Sequence, residues 1–346
     1  MKRRALVKEK RGPGAVLKEL DIPTLGPKDI LVQVKAAAIC GTDIHIYEWD
    51  DWAAARVKPP MVFGHEFCGE VVQVGQNVTT VKPGDLVAGE THIPCGECYQ
   101  CRTGDQHICQ DMAILGVHTD GAFTDYLAIP EICTWRLCRD TDPEIGALYE
   151  PFGVAVHGVL RHNLASSSVV VFGCGPIGLF AISIAKTAGA TQIFAVDLVE
   201  FRLDMAKKMG ATVILNAAKD DVTTVIQECT GGVGADYVIE LSGSPPAIKQ
   251  GFNVLRNGGA VSLVGLPSEE VSLDLTKDII YKEAKVFGST GRHMFDTWYK
   301  TSALLETGMI DISQVITHRF KLSEYEEAFR VLVSEGREVG KVLLLP

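Results

Sequence analysis

Four cysteines crowd into fifteen residues, as Cys95-Gly-Glu-Cys98-Tyr-Gln-Cys101 followed by Cys109. The C-x2-C spacing lets two thiolates reach one tetrahedral ion from a single turn, so four thiolates with no other ligand type define a closed, structural zinc site. A second set mixes ligand types. Cys40-Gly-Thr42-Asp-Ile-His45 offers a thiol, a hydroxyl and an imidazole, and Gly64-His65-Glu66 sets an imidazole beside a carboxylate. Cys, His and Glu together suit an open zinc site that keeps a position for water or substrate. Glu150-Pro151 adds a carboxylate at an apparent domain junction. A third set is Gly173-Cys-Gly175-Pro176-Ile177-Gly178. It follows the apolar run Val169–Phe172 and opens a helical stretch, the context in which G-x-G-x-x-G binds a dinucleotide. Gly173 permits the tight turn, Gly175 the approach of pyrophosphate, and Gly178 close helix packing, with the helix N-terminus facing the phosphates. Asp197 ends the next strand, 19 residues beyond Gly178. Its carboxylate suits both ribose hydroxyls and repels a 2′-phosphate, which favours NAD over NADP. Arg202, on the following helix, is placed to rim the adenine.

These groups need two kinds of scaffold. Up to about residue 150, short β-type runs such as Ile30–Val34, Glu70–Gly75 and Asp85–Gly89 alternate with Gly, Pro, Asn and Asp. From about 165, strands and helices alternate. Strands are expected at 169–173, 192–197, 212–215, 236–241, 260–265 and 285–288. Helices are expected at 177–188, 200–209, 221–228 and 246–256. Six such units predict an α/β fold with a doubly wound, six-stranded parallel sheet. The tail reads as helices at 295–307 and 324–334 and a strand at 341–345.

The chain has 346 residues, 47% hydrophobic and 22% charged, with a net charge of −10 from 33 Lys+Arg and 43 Asp+Glu. The length suits two domains, and the acidity argues against nucleic acid or an anionic membrane as partner. The basic start, Lys2-Arg3-Arg4, reads as a solvated terminus, with no long apolar run behind it. No export signal is seen, so the ten cysteines are expected as thiols in the cytoplasm rather than as a disulfide framework. Cys68, Cys133, Cys138, Cys174 and Cys229 read as small packing residues.

Taken together, these motifs resemble the zinc-containing medium-chain alcohol dehydrogenases over essentially the whole chain. The longer signatures His45-Ile-Tyr-Glu-Trp-Asp-Asp-Trp52, Gly89-Glu90-Thr-His92-Ile, Glu150–His157, Thr290–Lys300 and Ile316–Phe320 resemble the members that oxidise the secondary hydroxyl of L-threonine. The resemblance implies a GroES-like catalytic domain over 1–151 carrying the zinc lobe at about 92–112. It also implies a Rossmann NAD-binding domain over 152–293 and a return to the catalytic domain over 294–346. It implies that Cys40, His65 and Glu66 hold a catalytic zinc and that Cys95, Cys98, Cys101 and Cys109 hold a structural one. Glu150 is then a further ligand or a proton relay, and Thr42 and His45 carry the proton away. Gly173, Gly175, Pro176, Ile177, Gly178, Asp197 and Arg202 contact NAD, and Val264-Gly265-Leu266 and Ser289-Thr290 line the nicotinamide. For an amino-acid substrate, Glu90 or Glu150 is a candidate to face the ammonium, Arg292 the carboxylate, and His92 to shape the pocket. A homotetramer is implied. Zinc polyol dehydrogenases acting on sorbitol or 2,3-butanediol share the metal and NAD chemistry, so only pocket residues separate the two readings. A non-catalytic dinucleotide binder would have no need of Cys40, Thr42, His45, His65 and Glu66.

Overall fold

In a computed structural model, described over residues 2–334, 336 and 338–346, the chain forms two compact units. One comprises Met1–Pro151 with Ile316–Pro346, and the other Phe152–Val315.

The first unit is β-rich. Its largest sheet has seven strands, ordered Thr134–Arg136, Leu86–Gly89, Glu66–Val74, Asp29–Ala38, Lys341–Leu345 and Ile316–Lys321, with Tyr126–Pro130 also pairing with Asp29–Ala38. The long strand Asp29–Ala38 alternates buried Ile30, Val32 and Val34 toward a core that includes Phe63, Phe67 and Phe123. The last strand of the chain inserts beside it, antiparallel, with Leu344 opposite Ala37 and Leu343 opposite Ala38. The small alanine side chains there leave room for close packing. A second sheet pairs Lys2–Lys8 with Val16–Asp21 and Met61–Val62. The basic start is therefore not a solvated terminus. Arg3 is buried, and its guanidinium donates to the Tyr126 carbonyl at 2.8 Å and to Asp120 at 3.1 Å. Exposed Lys2 and Arg4 alternate with buried Arg3 and Ala5, and this period of two is how a basic run forms a strand.

The second unit is a six-stranded parallel sheet, ordered Val213–Asn216, Gln192–Asp197, Ser168–Phe172, Ala235–Glu240, Leu255–Leu263 and Lys285–Gly288. The central strand Ser168–Phe172 is buried throughout, as expected when helices cover both faces. The strand order reverses beside it, which is where doubly wound sheets bind ligands. One local expectation fails. The helix predicted to Arg256 ends at Val254, and the next strand starts at Leu255 without an intervening turn. Arg256 is pulled into the sheet by Asp236, which accepts from its Nε at 2.6 Å. The return segment also starts later than 294. Helix Asp296–Glu306 stays with the second unit, where buried Trp298 lies beneath Arg292 at 5.8 Å from its guanidinium carbon. Among the described residues, no helix is long and apolar enough to cross a membrane.

Candidate metal and dinucleotide sites

Cys40 stands at the mouth of helix Gly41–Glu48, where strand Asp29–Ala38 ends. Asp43, three residues on and fully buried, accepts the Cys40 backbone N–H at 2.9 Å through Oδ2. Its other oxygen, Oδ1, faces His65 Nδ1 at 3.6 Å. One carboxylate therefore caps the thiol-bearing turn and lies beside the imidazole. With Nδ1 turned to Asp43, Nε2 is the nitrogen left to ligate. His65 and Glu66 open the neighbouring strand, and Cys40, His65 and Glu66 each bring a ligand atom within 4.8 Å of the others. Lys341, on the last strand, is buried with them. Its ammonium donates to Glu66 Oε2 and to the Ile39 carbonyl at 3.1 Å.

The electrostatics call for a cation. Burial pushes Glu66 up to about 7, against the pull of Lys341 and with the help of the Glu150 charge. Burial works to lower His65, but Asp43 and then Cys40 outweigh it and hold the imidazole well above its usual value. Lys341 is likewise lowered by burial and raised further by Glu66 and Cys40. Two carboxylates, Glu66 and Glu150, and the Cys40 thiol thus act on one ammonium, and Asp43 Oδ1 and His65 Nδ1 are buried without a hydrogen-bond partner. A thiolate, an imidazole and a carboxylate in this geometry fit a zinc ion. Glu150, buried at the start of helix Tyr149–Val159, accepts from Thr91 Oγ1 at 3.4 Å.

The four cysteines also fit zinc. Their Sγ atoms lie 3.5 Å (Cys98–Cys101), 3.7 Å (Cys98–Cys109) and 4.0 Å (Cys95–Cys101) apart, near the ~3.8 Å edge of a tetrahedron with zinc–sulfur bonds of about 2.3 Å. Backbone N–H groups of Cys95 and Cys98 point at Cys109 and Cys95 sulfurs, at 3.3 and 3.4 Å. Backbone N–H groups of Cys101 and Gln110 lower Cys98 to about 6, while burial raises Cys101 to about 12 and also raises Cys109. Four thiolates cannot all ionise there without a divalent ion between them.

On helix Gly41–Glu48, Thr42 and His45 are three apart and share a face. His45 is half exposed, and its Nδ1 meets Asp50 Oδ2 at 2.5 Å, with Trp52 beside the ring at 5.9 Å between centroids. Hydrogen bonds from Ala53 N–H and His45 hold Asp50 below the usual carboxylate range despite the opposing effect of burial.

In the second unit the glycine loop has the required shape. Gly173 sits at φ +88°, and a Cβ on Gly178 would come 1.9 Å from the Gly173 carbonyl oxygen. A Cβ on Gly175 would meet nothing within 4 Å, so open space lies where phosphate approaches the helix Pro176–Thr187. Asp197 is held rigidly. Oδ2 accepts from Cys174 N at 2.7 Å, and Oδ1 accepts from Leu198 N at 2.7 Å and Val199 N at 3.0 Å. Arg202 has a buried Nε with no hydrogen-bond partner, an unspent donor. Val264 and Gly265 donate to the Glu240 carbonyl at 2.9 and 3.0 Å, leaving Leu266 exposed. Ser289 is buried and Thr290 is exposed just beyond strand Lys285–Gly288.

Several residues escaped the sequence reading. Asp43 carried a signal, because Cys40-x-x-Asp43 has the spacing of a helix capping box. Asp50, at the N-cap of Asp51–Arg56, carried the weaker signal of an Asp before a helix. Lys341 carried none, since 275 residues separate it from Glu66. Glu240 was read only as part of a strand. It is buried, and its Oε1 accepts from Ser242 N at 2.9 Å and Gly243 N at 3.1 Å, bracing the loop after that strand. Two pocket candidates are buried. Glu90 is fully buried with Oε1 committed to His92, and Arg292 is buried over Trp298 with its Cδ 2.6 Å from where a Gly153 Cβ would be.

A thiolate–imidazole–carboxylate cluster on a β-rich unit and a dinucleotide loop on a parallel sheet define a metal-dependent dehydrogenase. Residues 176–307 match the zinc-binding dehydrogenase family, and residues 26–139 match the alcohol dehydrogenase GroES-like domain. The chain belongs to the zinc-binding dehydrogenases. It is 49% identical over 343 residues to the L-threonine 3-dehydrogenase of Bacillus licheniformis, covering 99% of each chain. Among solved structures, it matches 2R,3R-butanediol dehydrogenase from Bacillus subtilis with a TM-score of 0.89 and 30% identity, covering 99% of each. It also matches an Escherichia coli alcohol dehydrogenase complexed with NADH, with a TM-score of 0.92 and 27% identity, covering 100% of this chain and 99% of that one.

Proposed function

We propose that the protein oxidises the secondary alcohol of L-threonine to 2-amino-3-oxobutanoate, passing hydride to NAD and releasing one proton. The full-length 49% identity to an L-threonine 3-dehydrogenase carries this reading, against 30% to a butanediol dehydrogenase that shares the fold. When bound, zinc supplies the Lewis acidity that eases loss of the hydroxyl proton, and NAD supplies the hydride acceptor.

The chain's own residues do the rest. Cys40 and His65 hold the catalytic metal, with Glu66 or Glu150 as the carboxylate beside it. Asp43 fixes both holders in place. Thr42 and His45 take the proton outward along one helix face, and the His45–Asp50 pair hands it to solvent. Asp197 receives the ribose, its carboxylate pre-set by three backbone N–H groups, and this selects NAD over NADP. The second zinc belongs to Cys95, Cys98, Cys101 and Cys109, whose closed geometry makes it structural. Cytoplasmic residence keeps these thiols reduced. Assembly as a homotetramer uses the edge strand Lys285–Gly288, where Val286 is exposed, and the zinc lobe, where Tyr99 is exposed.

Steady-state kinetics on the zinc-loaded protein test the reading. The kcat/KM for L-threonine with NAD is expected to exceed those for sorbitol and 2,3-butanediol, and to exceed that for L-threonine with NADP. Good turnover of a diol with negligible turnover of threonine would overturn it.

A further inference from the structure

Glu240 ends the strand Ala235–Glu240, the first beyond the point where the order of the parallel sheet reverses. Its side chain is fully buried, and among the described residues no lysine, arginine or histidine pairs with it. A carboxylate in such a place is costly unless donors satisfy it. Here the donors all come from one loop. Oε1 accepts from Ser242 N at 2.9 Å, from the Ser242 hydroxyl, and from Gly243 N at 3.1 Å, and Oε2 accepts from the same Gly243 N at 3.2 Å. Burial raises the pKa of the carboxyl, and the bonds from Ser242 and Gly243 act against that rise. The Glu240 carbonyl holds a second loop, accepting from Val264 N at 2.9 Å and Gly265 N at 3.0 Å.

These two loops also press on each other and on the glycine turn. A Cβ on Gly265 would lie 2.3 Å from Gly243 N, and a Cβ on Gly173 would lie 2.8 Å from Ser242 N. Three chain segments at the carboxyl edge of the sheet thus meet backbone to backbone, and Glu240 is hydrogen-bonded to two of them. A doubly wound sheet takes its dinucleotide across the crevice at the reversal, one half on each side. Asp197, on the strand Gln192–Asp197, lies on one side. The loops held by Glu240 lie on the other, where the nicotinamide half falls. We propose that Glu240 is a positioning residue for that half of NAD: its carboxylate fixes the Ser242–Gly243 backbone, against which the Val264–Leu266 backbone packs, so both loops hold their receiving shape before the cofactor arrives and less ordering is left to binding. The proposal rests on the dinucleotide reading of the Gly173 loop, and not on the choice of alcohol.

Calorimetric titration of the zinc-loaded protein with two probes tests this. NAD reaches both sides of the crevice, whereas 5′-AMP reaches only the Asp197 side. Glu240→Gln keeps the size and loses the charge and one acceptor oxygen. It is expected to raise the Kd for NAD about 10- to 100-fold, the effect of losing a charge-assisted hydrogen bond, and to leave the Kd for AMP within about twofold. Ser242 is exposed, and Ser242→Ala removes one of the donors. It is expected to weaken NAD about 10-fold with AMP unchanged, and it carries the same comparison if Glu240→Gln does not fold. The double variant should be no worse than Glu240→Gln alone, because both changes break one device. Equal losses for NAD and AMP would reduce Glu240 to a general structural role and overturn the proposal, as would unchanged NAD binding in either single variant. A wild type that binds neither NAD nor AMP would sink the dinucleotide reading itself, and the proposal with it.

Discussion

Asp43 does more than its modest place in Cys40-Gly-Thr-Asp43 suggests. It caps the turn that presents Cys40 and faces the back of His65, so one buried carboxylate serves two candidate ligands. Outer partners of this kind typically control metal affinity by 10- to 100-fold. Asp43→Asn keeps the size and loses the charge. It is expected to weaken zinc binding about 10- to 100-fold at the Cys40 site, read by competition with a chromogenic chelator, with NAD affinity unchanged. Equal zinc affinity would show that the carboxylate is dispensable. The ligand types were readable from sequence because each motif is local. Cys40, His65 and Glu66 lie in two short segments, and the four cysteines lie in one loop. The partners around them were less readable: the capping spacing of Asp43 was visible, but its approach to His65 and the arrival of Lys341 at Glu66 depend on the fold.

At the scale of elements, the last strand completes the cluster around Glu66. Strand Lys341–Leu345 is apolar and was expected as a strand, but sequence alone says nothing of its neighbour. Pairing with Ala37 and Ala38 delivers Lys341 to Glu66. Removing one partner of a buried pair leaves an uncompensated charge, at a cost of about 3–5 kcal/mol. Lys341→Met is therefore expected to lower the unfolding free energy by about 3 kcal/mol, measured by denaturant titration at pH 8. Adding Glu66→Gln should recover most of the loss. No loss in the single variant would mean that the pair is not formed.

The second unit makes a pH-dependent prediction. His162 is stacked on Tyr237, 4.7 Å between centroids, and its Nε2 meets Ser262 Oγ at 2.9 Å. Burial, then the charges of Arg161 and Lys285, lower its pKa from 6.5 to about 4. Between those values the unfolded chain binds the proton and the folded chain does not, so this contribution is present above pH 6.5 and is lost as pH falls toward 4. His162→Gln should unfold with a shallower pH dependence across that window than the wild type. Parallel curves would contradict the neutral, buried imidazole. The alternating strand–helix pattern was legible because parallel strands covered on both faces are continuous apolar runs. The helix end at Val254 was not, because Asp236 draws Arg256 into the sheet from twenty residues away.

Across the whole molecule, the chain order hides the organisation. The first unit is discontinuous, and its closing segment starts at Ile316 because helix Asp296–Glu306 packs within the second unit around Trp298. Composition does not change at that point, so no local signal marks the boundary. Both units carry their own chemistry: a cluster fit for zinc and a loop fit for a dinucleotide. The proposed oxidation requires a substrate hydroxyl to meet a metal held by Cys40 and His65. Diffraction at the zinc absorption edge, on crystals grown with NAD and L-threonine, tests this most directly. Two anomalous peaks per chain are predicted, one amid the four cysteines and one bonded to Cys40 Sγ and His65 Nε2 with the threonine hydroxyl oxygen as a further neighbour. A peak only at the cysteine lobe, or threonine bound away from Cys40 and His65, would contradict a catalytic metal at that cluster.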